Sequence, residues 1–195
     1  MEKHKTPHYK LVEIASNLEK ELLAKLSNSI SISDLFEIKK VMRHASNKEK
    51  NNGVEKLELD TVFRKADFVE TIEKCLVPYN GESSWNPKEP FQGMYVFSEN
   101  GQPVYVGISR NVFSRIKQHF YGNTHFSASL AYFIEKKATN HSEDREKLIF
   151  FHRQEIMREN FRINIIPITC DYELYWMEVT LAGMLGTMHN EFRTH

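Results

Sequence analysis

Gly93-Met94-Tyr95-Val96-Phe97-Ser98-Glu99-Asn100-Gly101-Gln102-Pro103-Val104-Tyr105-Val106-Gly107-Ile108 reads as a β-hairpin. Both arms alternate and are rich in β-branched and aromatic residues, and the Asn-Gly pair between them is a strong turn signal. Register settles whether Tyr95 and Tyr105 can cooperate. A two-residue Asn100-Gly101 turn puts Tyr95 opposite Val106 and sends Tyr105 to the other face. A three-residue loop from Glu99 to Gly101, with Gly101 left-handed in a bulge, puts the two tyrosines directly opposite each other on one face. The second register is the expectation. The alternative for an isolated tyrosine pair is two strand aromatics filling a core.

Downstream, Ser109 or Asn111 can cap a helix running to about Tyr121, with Val112, Phe113, Ile116 and Phe120 as its apolar stripe. Arg115 and His119 are four apart and share a flank of that helix. A guanidinium and an imidazole beside two phenols suit a phosphate clamp; the alternative is a solvated helix flank. Residues 127–137 and 142–160 read as further helices. Phe161 to Ile168 reads as a strand whose Pro167 suits an edge or an end. Asp171 is expected to cap a last helix through about Leu185, with Leu174, Met177, Leu181 and Leu185 inward. The order strand-strand-helix-helix-helix-strand-helix predicts an α/β (α+β) domain with a three-stranded antiparallel sheet flanked by helices.

Three parts are expected along the chain: a helical N-terminal region over 1–80, an extended linker over 81–92, and the α/β domain over 93–195. Leu11, Ile14, Leu18, Leu22 and Leu26 recur at helical spacing within a helix from about Tyr9 to Leu26. Ser33 or Asp34 opens a second helix through Leu35, Ile38, Val41 and Met42, and a third runs from Asp60 to about Leu76. These helices either pack onto the domain or serve as a recognition or dimerisation arm; their net charge of +1 through Asn80 favours neither.

The 195 residues carry 26 basic and 26 acidic side chains, which is not the balance of an indiscriminate nucleic-acid binder. Distribution matters more than the total. From Gly101 to Lys137, Arg110, Arg115, Lys117, Lys136 and Lys137 face Glu135 alone, a net of +4. Arg110, Lys117, Lys136 and Lys137 are the basic residues available if the chain meets nucleic acid, and with zero net charge such affinity is expected to be modest and salt-sensitive. Cys75 and Cys170 lie far apart, with no pattern for a disulfide framework or a zinc ribbon. No run approaches the ~20 apolar residues of a membrane span and no signal peptide opens the chain, so a cytoplasmic protein is expected.

Glu178 stands in the largely apolar run Trp176-Met177-Glu178-Val179-Thr180-Leu181-Ala182. A carboxylate there costs free energy unless paired or coordinated, and its oxygens suit Mg²⁺. The alternatives are solvent or a pair with Arg115. Asn190 falls beyond the helix, where a turn or cap is its ordinary use.

Taken in order, Gly93-Met94-Tyr95, Tyr105-Val106-Gly107, Arg115-x3-His119, Glu178 and Asn190 resemble the GIY-YIG endonuclease superfamily, over about Phe91 to His195. Met94 and Val106 replace its usual isoleucines. The Arg-x3-His arrangement is similar to that of homing and restriction members, whereas repair members often carry Tyr where His119 stands. The resemblance implies metal-dependent hydrolysis of DNA. In that scheme Tyr95 is general base and Tyr105 positions water or phosphate. Arg115 holds the scissile phosphate, and His119 binds an adjacent phosphate or removes the proton. Glu178 holds Mg²⁺ (Mn²⁺ as substitute), and Asn190 organises the site. Two alternatives stay open: a non-catalytic nucleic-acid-binding module and a protein-interaction module. A homodimer is compatible with either, and the DNA specificity is not legible.

Overall fold

A computed structural model describes residues 7–36, 69–81, 91–139 and 150–190. In chain order these form α1 (His8–Lys25), β1 (Ile30–Ser31), β2 (Gly93–Glu99), β3 (Gln102–Ser109), α2 (Val112–Tyr121), α3 (Ser129–Ala138), α4 (Phe151–Asn160), β4 (Phe161–Pro167) and α5 (Asp171–Leu185). Residues 32–36 and 69–75 are also helical. The remainder of the expected second and third helices, the linker over 82–90 and the start of the helix expected from Ser142 lie outside the described residues.

Among the described residues the sheet is antiparallel and has four strands, in the order β1-β4-β2-β3. The expected count of three misses β1, a two-residue strand that pairs Ile30 with Ile163 and is too short to carry an alternating pattern. Pro167 closes β4 opposite Gly93, a strand end where its missing N–H costs nothing.

Neither register weighed from the sequence is the observed one. The turn has two residues: Glu99 pairs with Gln102, and Asn100 and Gly101 both have positive φ (51° and 76°), as the twist of a two-residue hairpin requires. Yet Ser98 pairs with Pro103 while Phe97 pairs with Tyr105, so Val104 is an extra residue in β3. This bulge shifts the rest of β3 by one position. Tyr95 consequently faces Gly107, not Tyr105. Because Tyr105 opposes Phe97, it still lies on the face that carries Tyr95, one step along the diagonal.

Both faces of the sheet are covered. Tyr95, Phe97, Ile163 and Ile165 pack with Ile116 and Phe120 of α2, Leu130 and Ala131 of α3 and Met157 of α4. Met94, Val96, Val106 and Ile166 pack with Leu11, Ala15, Leu18 and Leu22 of α1 and with Leu174, Met177 and Leu181 of α5. The apolar stripe of α1 is thus buried in the same core as the last helix. Among the described residues, no helix is long and apolar enough to cross a membrane.

The start of α5 departs from expectation. Cys170 occupies the cap position and no side chain caps the helix. Asp171 is its first residue, and its carboxylate accepts from Gln92 Nε2 at 3.0 Å and Arg110 Nη2 at 2.7 Å. A carboxylate in the first turn still complements the helix dipole, so long-range partners replace local capping at little loss.

Leu18 and Leu22 are buried at 2% and 0% exposure. Leu18→Ala or Leu22→Ala is predicted to cost about 2–5 kcal/mol in urea unfolding. A cost below about 0.5 kcal/mol would show α1 to be a detachable arm.

Candidate functional site

The bulge and Gly107 together bring the Tyr95 ring across the edge strand. A Cβ on residue 107 would collide with the Tyr95 phenol and press on the Tyr105 ring, so only glycine lets the phenol pass. Tyr95 then reaches His119, its hydroxyl 2.7 Å from Nε2. The rings of Tyr95, Tyr105 and His119 lie within 5.7–6.2 Å of one another, with Phe97 stacked on Tyr105 at 5.9 Å. Tyr95 and His119 are buried, at 1% and 0% exposure, and Tyr105 is half-buried. Tyr105 is the less buried of the two tyrosines. His119 is shut off from any phosphate.

Helix α2 delivers Arg115 and His119 one turn apart. Asn111 caps it, accepting from Ser114 N–H at 3.1 Å, and Ser109 Oγ accepts from Asn111 N–H at 3.0 Å. Gln154 donates to the carbonyls of His119 and Gly122 at 3.1 and 2.9 Å, satisfying the last turn. The Arg115 guanidinium donates to Gln118 Oε1 at 3.1 Å, Ser127 O at 3.3 Å and Ser129 Oγ at 2.9 Å. All three acceptors are neutral. Among the described residues no carboxylate forms an ion pair with Arg115. Its charge is oriented but not cancelled. Gln118 is legible from the sequence as an i, i+3 neighbour; Ser127 and Ser129, twelve and fourteen positions away, carry no sequence signal.

Electrostatics tie these residues together. Burial pushes the Tyr95 hydroxyl well above the ordinary phenol range; Tyr105 and Glu178 add to the shift and Arg115 opposes it. Tyr105 is also raised by burial, with Arg115 and the Tyr95 hydroxyl pulling it down and Glu178 pushing it up. Burial, then the neighbouring Arg115 charge, holds His119 well below the usual imidazole range, so the ring is neutral at pH 7. Its Nδ1 is buried without a hydrogen-bond partner.

Glu178 is close enough for its charge to act on both phenols. It is half-buried, and among the described residues it has neither an ion pair nor a hydrogen bond. Burial alone raises its carboxyl to about 7. No group of three His, Cys, Asp or Glu side chains among the described residues is placed to hold a metal. A carboxylate near the two phenols, uncompensated among the described residues, nevertheless fits Mg²⁺, which keeps several waters and takes one or two protein carboxylates together with substrate phosphate. A closed site of protein ligands alone does not fit.

Asn190 sits outside the ring of reactive groups. Its Oδ1 accepts from Val106 N–H at 2.8 Å and its Nδ2 donates to Val106 O at 2.7 Å, so one amide pairs with the open edge of β3 as a neighbouring strand would. Thr187 Oγ1 donates to the same Oδ1 at 2.8 Å, and His189 N–H donates to Val104 O at 3.1 Å. The segment after α5 thus clasps β3 from the bulge to the residue before Gly107. Two such bonds contribute about 1–3 kcal/mol.

The four candidate DNA contacts scatter. Arg110 is exposed but paired with Asp171 at 2.7 Å. Lys117 is exposed on α2. Lys136 is half-buried and Lys137 exposed on α3, where Lys137 Nζ donates to Met188 O at 3.3 Å. Comparison with protein-family models, with curated proteins and with solved structures finds no match to this chain.

The raised carboxyl of Glu178 has a thermodynamic consequence. Below pH 4.5 folded and unfolded chains both carry its proton; as pH rises through about 7 the folded state must ionise a group its surroundings resist, and stability is lost. In buffer free of divalent cations, the wild type is predicted to lose on the order of 2–3 kcal/mol relative to Glu178→Gln between pH 4.5 and 8. Urea unfolding at several pH values measures it, and Mg²⁺ should restore stability to the wild type alone. Parallel pH profiles would contradict the assignment.

Proposed function

We propose that this chain is a metal-dependent endonuclease that hydrolyses DNA phosphodiester bonds through a GIY-YIG-type site. The observation that carries the reading is the state of Arg115. Its guanidinium is held by three neutral acceptors, beside two phenols and an unpaired carboxylate. An oriented cation with no counter-ion among the described residues suits bidentate recognition of a phosphate.

Hydrolysis needs an in-line water, neutralisation of charge on the phosphoryl oxygens and help for the departing 3′ oxygen. Arg115 supplies the second. Glu178 would hold the Mg²⁺, which when bound supplies charge for the leaving oxygen. For the first, the resemblance favours Tyr95 as base, whereas Tyr105 is the less buried of the two tyrosines. Both phenols hold their protons at neutral pH, and a protonated phenol accepts a proton only if it passes its own onward. The Tyr95–His119 contact supports the last transfer of such a relay, and the influence of the Tyr95 hydroxyl on Tyr105 is consistent with the one before it. The water's proton moves to Tyr105, that of Tyr105 to Tyr95, and that of Tyr95 to His119 Nε2, 2.7 Å away. His119 receives it in the tautomer that leaves Nε2 unprotonated, and because burial and Arg115 oppose its charge it holds that proton only in passing. The adjacent-phosphate role for His119 does not suit a residue with no exposed surface.

Supercoiled plasmid incubated with the protein and Mg²⁺ tests this reading. Tyr95→Phe and Glu178→Ala are predicted to abolish cleavage with the circular dichroism unchanged, and Arg115→Ala to slow it about 10²–10³-fold. EDTA should silence the wild type, with Mg²⁺ or Mn²⁺ restoring it. Full activity in Tyr95→Phe would remove the relay, and full activity in Glu178→Ala would remove the cation site.

A further inference from the structure

The loop between α2 and α3 holds an aromatic ring out in water. Phe126 is 74% exposed, the most exposed of the large apolar side chains among the described residues. Its backbone is not loose. Thr124 and Ser127 clasp each other, with Thr124 N–H donating to Ser127 Oγ at 3.2 Å, Ser127 N–H to Thr124 Oγ1 at 3.1 Å, and the two hydroxyls 2.9 Å apart. Ala128 N–H closes the turn on Thr124 O at 2.9 Å. Gly122 is what lets the loop fold so tightly, because a Cβ there would strike the Ser127 side chain. His125 covers one side of the Phe126 ring, its centroid 4.0 Å away, and is itself 5.9 Å from the Tyr132 ring.

This loop is fastened to the site. Ser127, next to Phe126, accepts from Arg115 through its carbonyl, and Ser129 accepts through its hydroxyl. The aromatic ring and the phosphate-holding guanidinium therefore belong to one hydrogen-bonded unit. Helix α2 brings Arg115 and Lys117 to the same element, with no Asp or Glu between Glu99 and Glu135 in the chain, while Arg110 is paired with Asp171. An acidic peptide would find the cations but no reason for a flat ring beside them. A nucleic-acid strand presents both phosphate and an aromatic base.

Resting on the nuclease reading above, we infer that Phe126, backed by His125, stacks against an unstacked nucleobase next to the phosphate held by Arg115. The site then takes a strand that is single-stranded, frayed or opened locally at the cleavage point, since a base inside a regular duplex has no free face to offer. Stacking of this kind is tolerant of sequence, because every base has a π face.

Fluorescence anisotropy with a labelled single-stranded oligonucleotide in EDTA, using the full chain, measures this without cleavage. Phe126→Ala is predicted to weaken binding about tenfold. Phe126→Trp should keep wild-type affinity, with its indole emission quenched on binding relative to wild type. Phe126→Leu, apolar but not aromatic, should resemble Phe126→Ala. Unchanged affinity in Phe126→Ala, or full rescue by Phe126→Leu, would overturn the stacking role while leaving the nuclease reading intact. A wild-type protein that neither binds nor cuts nucleic acid would overturn both.

Discussion

One extra residue in an edge strand holds this site together. Without Val104 in the bulge, a two-residue turn would put Tyr105 on the face that packs against α1 and α5, and Tyr95 would face Val106. With it, Tyr105 joins Tyr95 and Phe97 on the α2 face, and the position opposite Tyr95 falls to a glycine. The phenol can then lie across β3 and reach His119. Pro103, beside the bulge, has no N–H to offer the ladder, so the irregularity costs less there than elsewhere. The clasp by Asn190 and His189 covers the outer edge of this same piece of β3. The local distortion, the glycine and the amide clasp act as one device.

Around that device, no ion pair among the described residues neutralises Arg115 or Glu178. Arg115 is surrounded by an amide, a carbonyl and a hydroxyl; Glu178 has two phenols in electrostatic reach and no cation in contact among the described residues. Arg115 and Glu178 both act on the two phenols, yet among the described residues no ion pair joins them. Kept apart, each is available to an external partner of opposite sign: a phosphate for one, a hydrated divalent cation for the other. The raised carboxyl of Glu178 and the elevated phenols are the energetic trace of that arrangement.

Much of this was legible in the sequence, for reasons that differ by residue. Asn100-Gly101 marked the turn because both positions need positive φ. The stripe from Val112 to Phe120 placed Arg115 and His119 on one flank through helical periodicity alone, and the Leu11-to-Leu22 spacing identified a buried helix face. The register was not legible. Val104 is chemically like its neighbours, and a bulge leaves no periodic mark. Nor was β1, at two residues, nor the partners of Asp171, which lie 61 and 79 positions away. Ser127 and Ser129 were missed because a hydroxyl or carbonyl holding a guanidinium looks like any loop residue. Periodic features showed in the chain; single contacts across long separations did not.

The account stands or falls on whether this group of side chains breaks a phosphodiester bond. The direct measurement is single-turnover incubation of end-labelled DNA, both duplex and single-stranded, with the wild-type protein and Mg²⁺, followed by analysis of the product termini. The account predicts scission leaving 5′-phosphate and 3′-hydroxyl ends, since the 3′ oxygen is the leaving group. DNA that stays intact with Mg²⁺ and with Mn²⁺, at protein in excess over substrate, would contradict it.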